Sequence, residues 1–505
     1  MIFDGEKEAR AVEEAFDFVI VGSGAAGATV ARVLAEAGAS IAIVEEGPAV
    51  STGEFVDALF PSVRRMFREM SMLSARGRAM IPIIQGTCLG GSTVINSGIV
   101  WRIPDDVWAP WQSEFGLGTA LPLEQLHAHW DLIERELSVQ PTAREVWGEN
   151  NRLMDLARAR LGVSGFPTQR NVQDCRGSAR CLTGCPFGAK QSMLVSYLPY
   201  AERRGAALYT SARVDRILMK AARATGVRGY FHQPTLKTNL APFVLHARKA
   251  VIVAASAIQT PLLLRRSGVR SPHLGRHFQA HPGCSLMAIF DEPVYSWHGA
   301  TQGYEIDDHR QDGHFKVESI ALPLETLLAT MPGVGRAWAT NMAAAPHVAI
   351  WAVQLRAQAE GTVREGMLGT DVRYDLTARD MHNLRRGLRF TAELFFAAGA
   401  REVMTGVHGI SERLCRPEEA QAFDRAPVDP SAYSMIMSHL FGTARMSVRP
   451  QDGVVGPDFR VHGTQNIYVV DSSVFPTNLG VNPQLPIMGV AMHAARQMVE
   501  GNRAN

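Results

Sequence analysis

A glycine-rich turn near the start of the chain constrains its fold more than any other feature. The apolar run Phe16–Val21 predicts a strand, and it leads directly into the turn Gly22-Ser23-Gly24-Ala25-Ala26-Gly27. A stretch with helical character, 28–37, follows at once. This succession of strand, glycine turn and helix predicts a doubly wound α/β domain that binds a dinucleotide.

Each small residue of the turn has a predicted role. Gly22 permits a tight turn, Gly24 lets a pyrophosphate approach the backbone, and Gly27 lets the helix pack closely on the strand. Ala25 and Ala26 lie at the start of the helix, whose positive end would face the phosphates.

An acidic residue completes the dinucleotide pattern. The apolar strand Ile41–Val44 ends in Glu45, which lies 18 residues after Gly27. At this separation a carboxylate accepts hydrogen bonds from the ribose hydroxyls. Glu45 argues against a cofactor with a 2′-phosphate, because two anions would repel, but the pattern does not separate NAD from FAD.

Four further segments have distinctive motifs. They are GTCLGGSTVIN at 86–96, SAIQTPLLLRRSGV at 256–269, SHLFGTARM at 438–446 and VVDSSVFPTNLGVNPQLPIMGVA at 469–491. Together with the first turn, they make the chain resemble the glucose-methanol-choline (GMC) oxidoreductase family, whose members bind FAD and oxidise alcohols. The chain departs from the family pattern at Arg270, where the motif that corresponds to 256–269 usually ends in glycine.

The resemblance implies a two-domain α/β fold with α+β character, in which a Rossmann-like FAD-binding domain is interleaved with an antiparallel-sheet substrate domain. We expect the FAD-binding domain to comprise residues 1–105, 205–285 and 430–505, and the substrate-binding domain and lid segments to comprise 106–204 and 286–429. In the second domain, the patterns predict strands at 361–364 and 372–376 and an amphipathic helix at 380–397, with the antiparallel sheet covering the flavin.

The resemblance also implies the catalytic pair. The family transfers a hydride from the carbinol carbon to flavin N5 while a side chain accepts the hydroxyl proton. By position, His439 is the predicted base and Asn482 its partner at the alcohol oxygen. Without the resemblance, His439 reads as a core histidine beside Gly442, and Asn482-Pro483 reads as a helix start.

Further cofactor contacts follow from the same resemblance. The glycine segment predicts flavin contacts at Gly86, Gly91, Ser92 and Asn96. Asp471 corresponds to a residue near the ribityl and phosphate portion, and Val214 to a residue near the adenine. Asn482, in the closing segment that holds the flavin in the family, is also expected to contact the cofactor. The alternatives are a strand-end turn former at Asp471 and a core residue at Val214.

Three of the six cysteines, Cys175, Cys181 and Cys185, lie within eleven residues. They could ligate an iron-sulfur cluster, but the spacing is not a standard one, and a three-iron cluster or an external ligand such as Cys284 would be required. Buried thiols or a labile disulfide are the favoured alternatives, so we expect no metal.

Charge and composition exclude several classes of protein. The net charge of +2 gives no field that would attract a nucleic acid. The few cysteines and the charged opening sequence favour a cytoplasmic protein. The uncharged run 337–355 is long enough to suggest a membrane span, but polar residues interrupt it, and a buried strand at 347–353 is the preferred interpretation.

The substrate is less constrained. Phe441, Leu485, Ile487 and Met488 suggest an apolar pocket floor, and the Met-rich stretch 66–80 suggests either a lid or plain core. A hydrophobic or aromatic primary alcohol is therefore favoured over a sugar. Oxygen, a protein or a quinone could accept the electrons. The alternatives are a sugar dehydrogenase with a protein acceptor, a GMC-like flavin lyase, and a flavin-binding subunit without catalysis.

Overall fold

The computed structural model describes residues 2–8, 10–236, 238–367 and 369–503. Its first eight-stranded sheet has the order β1-β9-β3-β2-β12-β11-β10, and β22 also pairs with β12. The strands are β1 (Ile2–Asp4), β2 (Val12–Val21), β3 (Ile41–Val44), β9 (Ala207–Thr210), β10 (Ala212–Lys220), β11 (Arg223–Gln233), β12 (Thr238–Val253) and β22 (Ile467–Val469). Pairing is parallel from β1 to β12 and at β22, and antiparallel from β12 to β10.

The predicted strand, turn and helix form the centre of this sheet. β2 begins earlier than predicted, at Val12, because it runs alongside the long strand β12. The second strand, β3, has the predicted bounds, and all four of its side chains are buried. The helix begins at Ala25, directly after the glycine turn, and packs through small residues on the sheet.

A second eight-stranded sheet is antiparallel throughout, with the order β20-β19-β13-β16-β15-β14-β7 and with β21 also paired with β13. Its strands are β7 (Phe166–Pro167), β13 (Gln279–Ile289), β14 (Tyr304–Ile306), β15 (Phe315–Ser319), β16 (Val348–Leu355), β19 (Glu402–Met404), β20 (Arg413–Leu414) and β21 (Met435–Phe441). The predicted combination of a Rossmann-like unit and an antiparallel sheet is confirmed.

Two of the predicted strands lie elsewhere than expected. The segments 361–364 and 372–376 were expected in the antiparallel sheet above the flavin. They correspond to a hairpin in a separate four-stranded sheet, because they pair with each other and with strands near residue 75. That sheet contains β4 (Ser74–Arg76), β5 (Met80–Pro82), β17 (Thr362–Gly366) and β18 (Gly369–Arg373), while β6 (Val139–Pro141) pairs with β8 (Gln169–Asn171).

Twelve α-helices pack around the sheets in the part of the chain that is described. They are α1 (Gly5–Glu8), α2 (Ala25–Glu36), α3 (Leu59–Met66), α4 (Asp105–Ser113), α5 (Leu123–Glu136), α6 (Glu149–Leu161), α7 (Tyr197–Glu202), α8 (Ser256–Arg266), α9 (Leu324–Thr330), α10 (Arg336–Ala343), α11 (Ala378–Ala398) and α12 (Gln484–Arg503). The predicted amphipathic helix is α11, which ends where Gly399 adopts a left-handed conformation.

The apolar run 337–355 contains nearly all of α10, a short turn and the buried strand β16. The buried strand agrees with the prediction from the sequence, whereas the helix lies where a loop was predicted. Among the described residues, no helix combines the length and the apolar character that crossing a membrane requires.

Candidate active site

A cavity of about 1320 Å³ lies between the carboxyl ends of the parallel strands and one face of the antiparallel sheet. Ligands of doubly wound sheets bind at this end of the strands. Its wall includes all but one of the predicted cofactor-binding residues, namely Gly22, Gly24, Ala25, Ala26, Glu45, Gly86, Gly91, Ser92, Asn96, Val214, Asp471 and Asn482, and it also includes His439. Gly27 lies beneath the turn rather than on the cavity wall.

The two glycine segments, 22–27 and 86–96, pack directly on each other. A Cβ atom on Gly91 would lie 2.9 Å from the Cα atom of Gly24, and one on Gly27 would lie 1.9 Å from the carbonyl oxygen of Gly22. The Ser23 hydroxyl accepts a 2.9 Å hydrogen bond from the amide of Gly90. No larger residue would fit at these contacts, so the segments form a backbone-lined cradle of the kind that a pyrophosphate requires.

Glu45 lies on the wall of the cavity, and its carboxylate also accepts hydrogen bonds from neighbouring residues of the protein. It accepts hydrogen bonds from the amide and hydroxyl of Ser23, at 3.1 and 2.6 Å, and from the amide of Gly47 at 2.9 Å. Burial raises the pKa of this carboxyl group, against the opposing effect of these hydrogen bonds. Its two oxygens retain acceptor capacity for a ribose.

Asp471 joins several elements at the cavity. Its carboxylate accepts hydrogen bonds from the amides of Ser473 and Ser256 and from the hydroxyl of Thr260, at 2.8, 3.0 and 2.6 Å. It therefore caps the short turn 472–474, which is the turn-forming role considered for it, and it also lies on the cavity wall.

Asn96 is held in place from the C-terminal segment. Its Nδ2 donates a 2.6 Å hydrogen bond to Oε1 of Gln484, at the start of α12. Its Oδ1 accepts a hydrogen bond from the amide of Gly98. These contacts tie the second glycine segment to the helix that follows Asn482.

His439 lies on β21 at a β-bulge. Ala280 pairs with Leu440 and Pro282 with Met437, so that two residues of β21, one of them His439, oppose the single residue His281. A bulge turns a side chain away from the regular alternation of the strand. This geometry explains why a histidine from a largely buried strand reaches the cavity.

Both side chains within hydrogen-bond distance of the His439 ring lie near its Nδ1. Nε2 of Gln354 lies 3.0 Å from it and Nδ1 of His281 lies 3.3 Å from it. No hydrogen bond to Nε2 of His439 is formed by the described residues, so this nitrogen is free for a ligand. Withdrawal from bulk water lowers the pKa of His439 to about 4.

Asn482 lies on the cavity wall too, on the segment that leads into α12, and its Oδ1 accepts a 2.6 Å hydrogen bond from Nζ of Lys316. Lys316 is completely buried, and its ammonium group is also 2.6 Å from Glu305 and 2.8 Å from Glu318. The sequence prediction that Asn482 starts the helix is approximately correct, but its side chain is engaged by a lysine that the sequence did not suggest.

Sequence reasoning missed His281, Gln354, Lys316, Glu305 and Glu318. The alternation in the segment Phe315–Ser319 is typical of a strand with one face in water, so nothing marked Lys316 and Glu318 as buried. Only the pairing of strands brings these polar groups together.

The predicted apolar floor is partly wrong. Ile487 lines the cavity, but Phe441, Leu485 and Met488 are buried in the core around the first sheet. They face inward because β21 and α12 pack on that core. The second sheet and its connections add further apolar residues to the wall, at Met287, Ile320, Leu322, Ile350, Met404 and Ile436.

The Met-rich stretch contains both core and surface. Met66 is buried, whereas Met70, Met72 and Met80 are exposed. None of these four methionines lines the cavity, but other residues of the stretch do, namely Phe67, Arg68, Glu69 and Ser71.

The cysteines Cys175, Cys181 and Cys185 surround a separate cavity of about 10 Å³, and all three are free thiols. Cys181 lies 3.2 Å from the guanidinium of Arg170. Cys284, considered as a fourth ligand, lies on β13 at the wall of the main cavity instead. Within the described ranges, no group of three or more His, Cys, Asp or Glu side chains is arranged to hold a metal ion.

Comparisons with known proteins agree on one family. Family models described as GMC oxidoreductase match residues 16–283 and 357–491. An uncharacterized GMC-type oxidoreductase of Mycobacterium tuberculosis is 36% identical over 486 residues, which cover 96% of this chain and 76% of that protein. A long-chain-alcohol oxidase of Arabidopsis thaliana is 26% identical over 531 residues, which cover 98% and 68%.

Among solved structures, a formate oxidase of Aspergillus oryzae, determined in a study of FAD modification, has a similar fold. The TM-score is 0.72 at 17% sequence identity, and the alignment covers 98% of this chain and 99% of that one.

Proposed function

Since the chain belongs to the GMC oxidoreductase family and is an FAD-dependent oxidoreductase, we propose that it oxidises an alcohol to a carbonyl compound, with His439 as the base and Asn482 as its partner. The observation that supports this most strongly is the position of the two side chains. Each presents an unengaged nitrogen on the wall of the cavity that also contains both glycine segments.

The cradle formed by Gly24 and Gly91 fits FAD, because it leaves backbone amides accessible where side chains are sterically excluded. The residues proposed to hold FAD are Gly22, Gly24, Ala25, Ala26, Glu45, Gly86, Gly91, Ser92, Asn96, Val214, Asp471 and Asn482. When bound, FAD supplies the acceptor for the hydride of the alcohol carbon.

Asn482 orients the alcohol in this proposal. Because its Oδ1 is occupied by Lys316, the side chain has only its Nδ2 donor to offer to the alcohol oxygen. A hydrogen bond to that oxygen stabilises the negative charge that develops as the proton leaves.

His439 accepts the hydroxyl proton at Nε2. This requires the tautomer whose hydrogen is on Nδ1, so Nδ1 must donate. Gln354 provides the acceptor when its amide turns its Oε1 toward His439, and in the present orientation this oxygen is buried without a hydrogen-bond partner. Nδ1 of His281, which lies 3.3 Å from the same nitrogen, must then carry no hydrogen; the hydrogen of His281 would be on Nε2, where Oδ1 of Asn478 lies 3.3 Å away.

The substrate that best matches the wall is an apolar primary alcohol. The six aliphatic and methionine side chains named above provide contacts for hydrocarbon. The long-chain-alcohol oxidase among the relatives supports the same class. Molecular oxygen is the proposed electron acceptor.

The test is an anaerobic absorbance titration of the FAD-loaded protein with 1-octanol and, separately, with glucose, followed by admission of air. We expect loss of the flavin absorbance with the alcohol only and its recovery with oxygen. His439→Gln should lower the rate of flavin reduction by at least about 100-fold, whereas the exposed control His408→Gln should leave it unchanged.

Other results would favour the alternatives. Reduction by glucose with slow recovery in air would favour a sugar dehydrogenase with a protein acceptor. Turnover without any loss of flavin absorbance would favour a lyase. Full activity of His439→Gln would refute its role as the base.

A further inference from the structure

The buried cluster behind Asn482 is unusual because it places a lysine where the side chain has no access to water. Lys316 and Glu305 have no exposed side-chain area, and the exposed fraction of the Glu318 side chain is 5%. Isolated charges are not tolerated at such positions, so the ammonium must be paired and hydrogen-bonded. Two carboxylates provide the pairing, and the third contact goes to Asn482.

The two carboxylates are themselves anchored. The indole Nε1 of Trp101 donates to Glu305, at 3.0 and 3.2 Å to its two oxygens. Nε2 of Gln302 donates a 2.6 Å hydrogen bond to Glu318. The ammonium is therefore held in a fixed position by groups on β14, β15 and their surroundings, rather than by a flexible side chain alone.

An ammonium group is a donor without acceptor capacity, and this fixes the orientation of Asn482. Only the amide oxygen can face Lys316, so Nδ2 must face away from it. No described residue accepts a hydrogen bond from that Nδ2, and Asn482 lies on the cavity wall. The lysine thus leaves one defined donor available to a ligand.

The strand register links this contact to His439. Lys316 on β15 and Gln354 on β16 are directly opposite in the antiparallel pair, and side chains at opposed positions project from the same face of a sheet. One member of this pair contacts Asn482 and the other contacts His439. Two adjacent positions in one sheet therefore support both proposed catalytic side chains.

We propose that Lys316 is a positioning residue: held by Glu305 and Glu318, it fixes the amide of Asn482 so that its Nδ2 points at the reacting oxygen. This inference rests on the proposed function, since it assigns the origin of the geometry that the alcohol requires. Lys316 itself does not contact the substrate.

The experiment is a double-mutant cycle in the FAD-loaded protein. Lys316→Met removes the donor, Asn482→Ala removes its target, and the third variant combines the two. Arg32→Met is the matched control, because it removes a buried cation from two carboxylates, Glu36 and Glu136, and Arg32 does not line the cavity. All variants are first compared by flavin content and melting temperature.

We expect Lys316→Met to lower kcat by about 10- to 100-fold, with KM changed by less than about threefold, because misorientation of a positioned group affects the transition state more than ground-state binding. The double variant should be no slower than Asn482→Ala alone. Arg32→Met should retain kcat within about threefold.

Other outcomes overturn the proposal. If the losses from Lys316→Met and Asn482→Ala multiply in the double variant, the lysine does not act through Asn482. If Arg32→Met lowers kcat as much as Lys316→Met does, the loss reflects a destabilised fold and not the positioning of Asn482.

Because Lys316→Met leaves two carboxylates without their cation, it could fail to fold. The variant Lys316→Met/Glu305→Gln removes one acidic group together with the basic one, and it should show the same loss of kcat. Retention of kcat in this folded variant would overturn the proposal.

A structural measurement separates this inference from the proposed function. If the unmodified protein does not oxidise alcohols, the proposed function fails, and the inference is then judged from crystal structures of the FAD-bound protein and its Lys316→Met variant. Displacement of the Asn482 side chain in the variant supports positioning by Lys316. An unmoved Asn482 side chain contradicts it.

Discussion

His439 is surrounded by groups that affect its protonation in opposite directions. Burial lowers its pKa most, the carboxylate of Glu318 raises it, and the ammonium of Lys316 lowers it. His281, whose Nδ1 faces that of His439, has a pKa held well below its usual value by burial and by His439. The imidazole of His439 is therefore neutral at physiological pH, which the proposed role as base requires.

This environment predicts an unusual pH profile. The proposed base, His439, is active when neutral, and it becomes protonated only as the pH falls through its pKa of about 4. We expect kcat/KM for the alcohol to stay nearly constant from pH 8 to about pH 5 and to decrease below that, as measured by initial rates in buffers of constant ionic strength. A decrease centred near pH 6.5 would show that His439 has an unperturbed pKa or that another group is the base.

At the scale of the elements, the site depends on how strands pair rather than on any single segment. The bulge in β21 presents His439, and the register of β15 with β16 aligns Lys316 with Gln354. Helix α11 packs on this sheet, and none of its residues lines the cavity. The helix should therefore affect the stability of the sheet without taking part in the chemistry.

The N-terminal cap of α11 tests this separation. The hydroxyl of Thr377 accepts a 3.1 Å hydrogen bond from the amide of Asp380 and donates a 2.8 Å one to its carboxylate. Thr377→Ala should lower the free energy of unfolding by about 1 kcal/mol, as measured by urea denaturation, and should leave kcat unchanged. Thr340→Ala is the control, because Thr340 is exposed in the interior of α10 and does not cap a helix. It should change the free energy of unfolding by less than about 0.5 kcal/mol. Equal losses in the two variants would contradict a role of the cap.

At the scale of the whole molecule, the cavity wall is assembled from both large sheets. The glycine turn follows β2, Asp471 follows β22, and His439 comes from the antiparallel sheet. A ligand that fills this cavity contacts groups that are far apart in the chain. It therefore binds the folded protein and not the unfolded chain, and its binding must stabilise the fold.

We expect removal of FAD to lower the melting temperature and added FAD to restore it. Each tenfold increase in free FAD above its dissociation constant should add about 1.4 kcal/mol to the free energy of unfolding. NADP⁺ is the matched control, because its 2′-phosphate would meet the carboxylate of Glu45. A melting temperature that does not depend on FAD, or that rises equally with NADP⁺, would contradict the assigned cradle. Melting followed by circular dichroism is the measurement.

The sequence by itself determined the local features. The strand, turn and helix at the cofactor end were predictable, because a β-branched run, a glycine at positive φ and small residues at a close contact leave few alternatives. The motifs around His439 and Asn482 identified both residues as candidates, and family membership is confirmed by the matched models.

Only the tertiary structure decided what surrounds those candidates. Lys316, Gln354 and His281 come from three strands of one sheet, and each would read in sequence as an ordinary polar strand residue. Phe441 and Met488 flank the motifs in sequence but face the core. The physical reason is that strand register and side-chain direction are set by packing between distant segments, which local propensity does not encode.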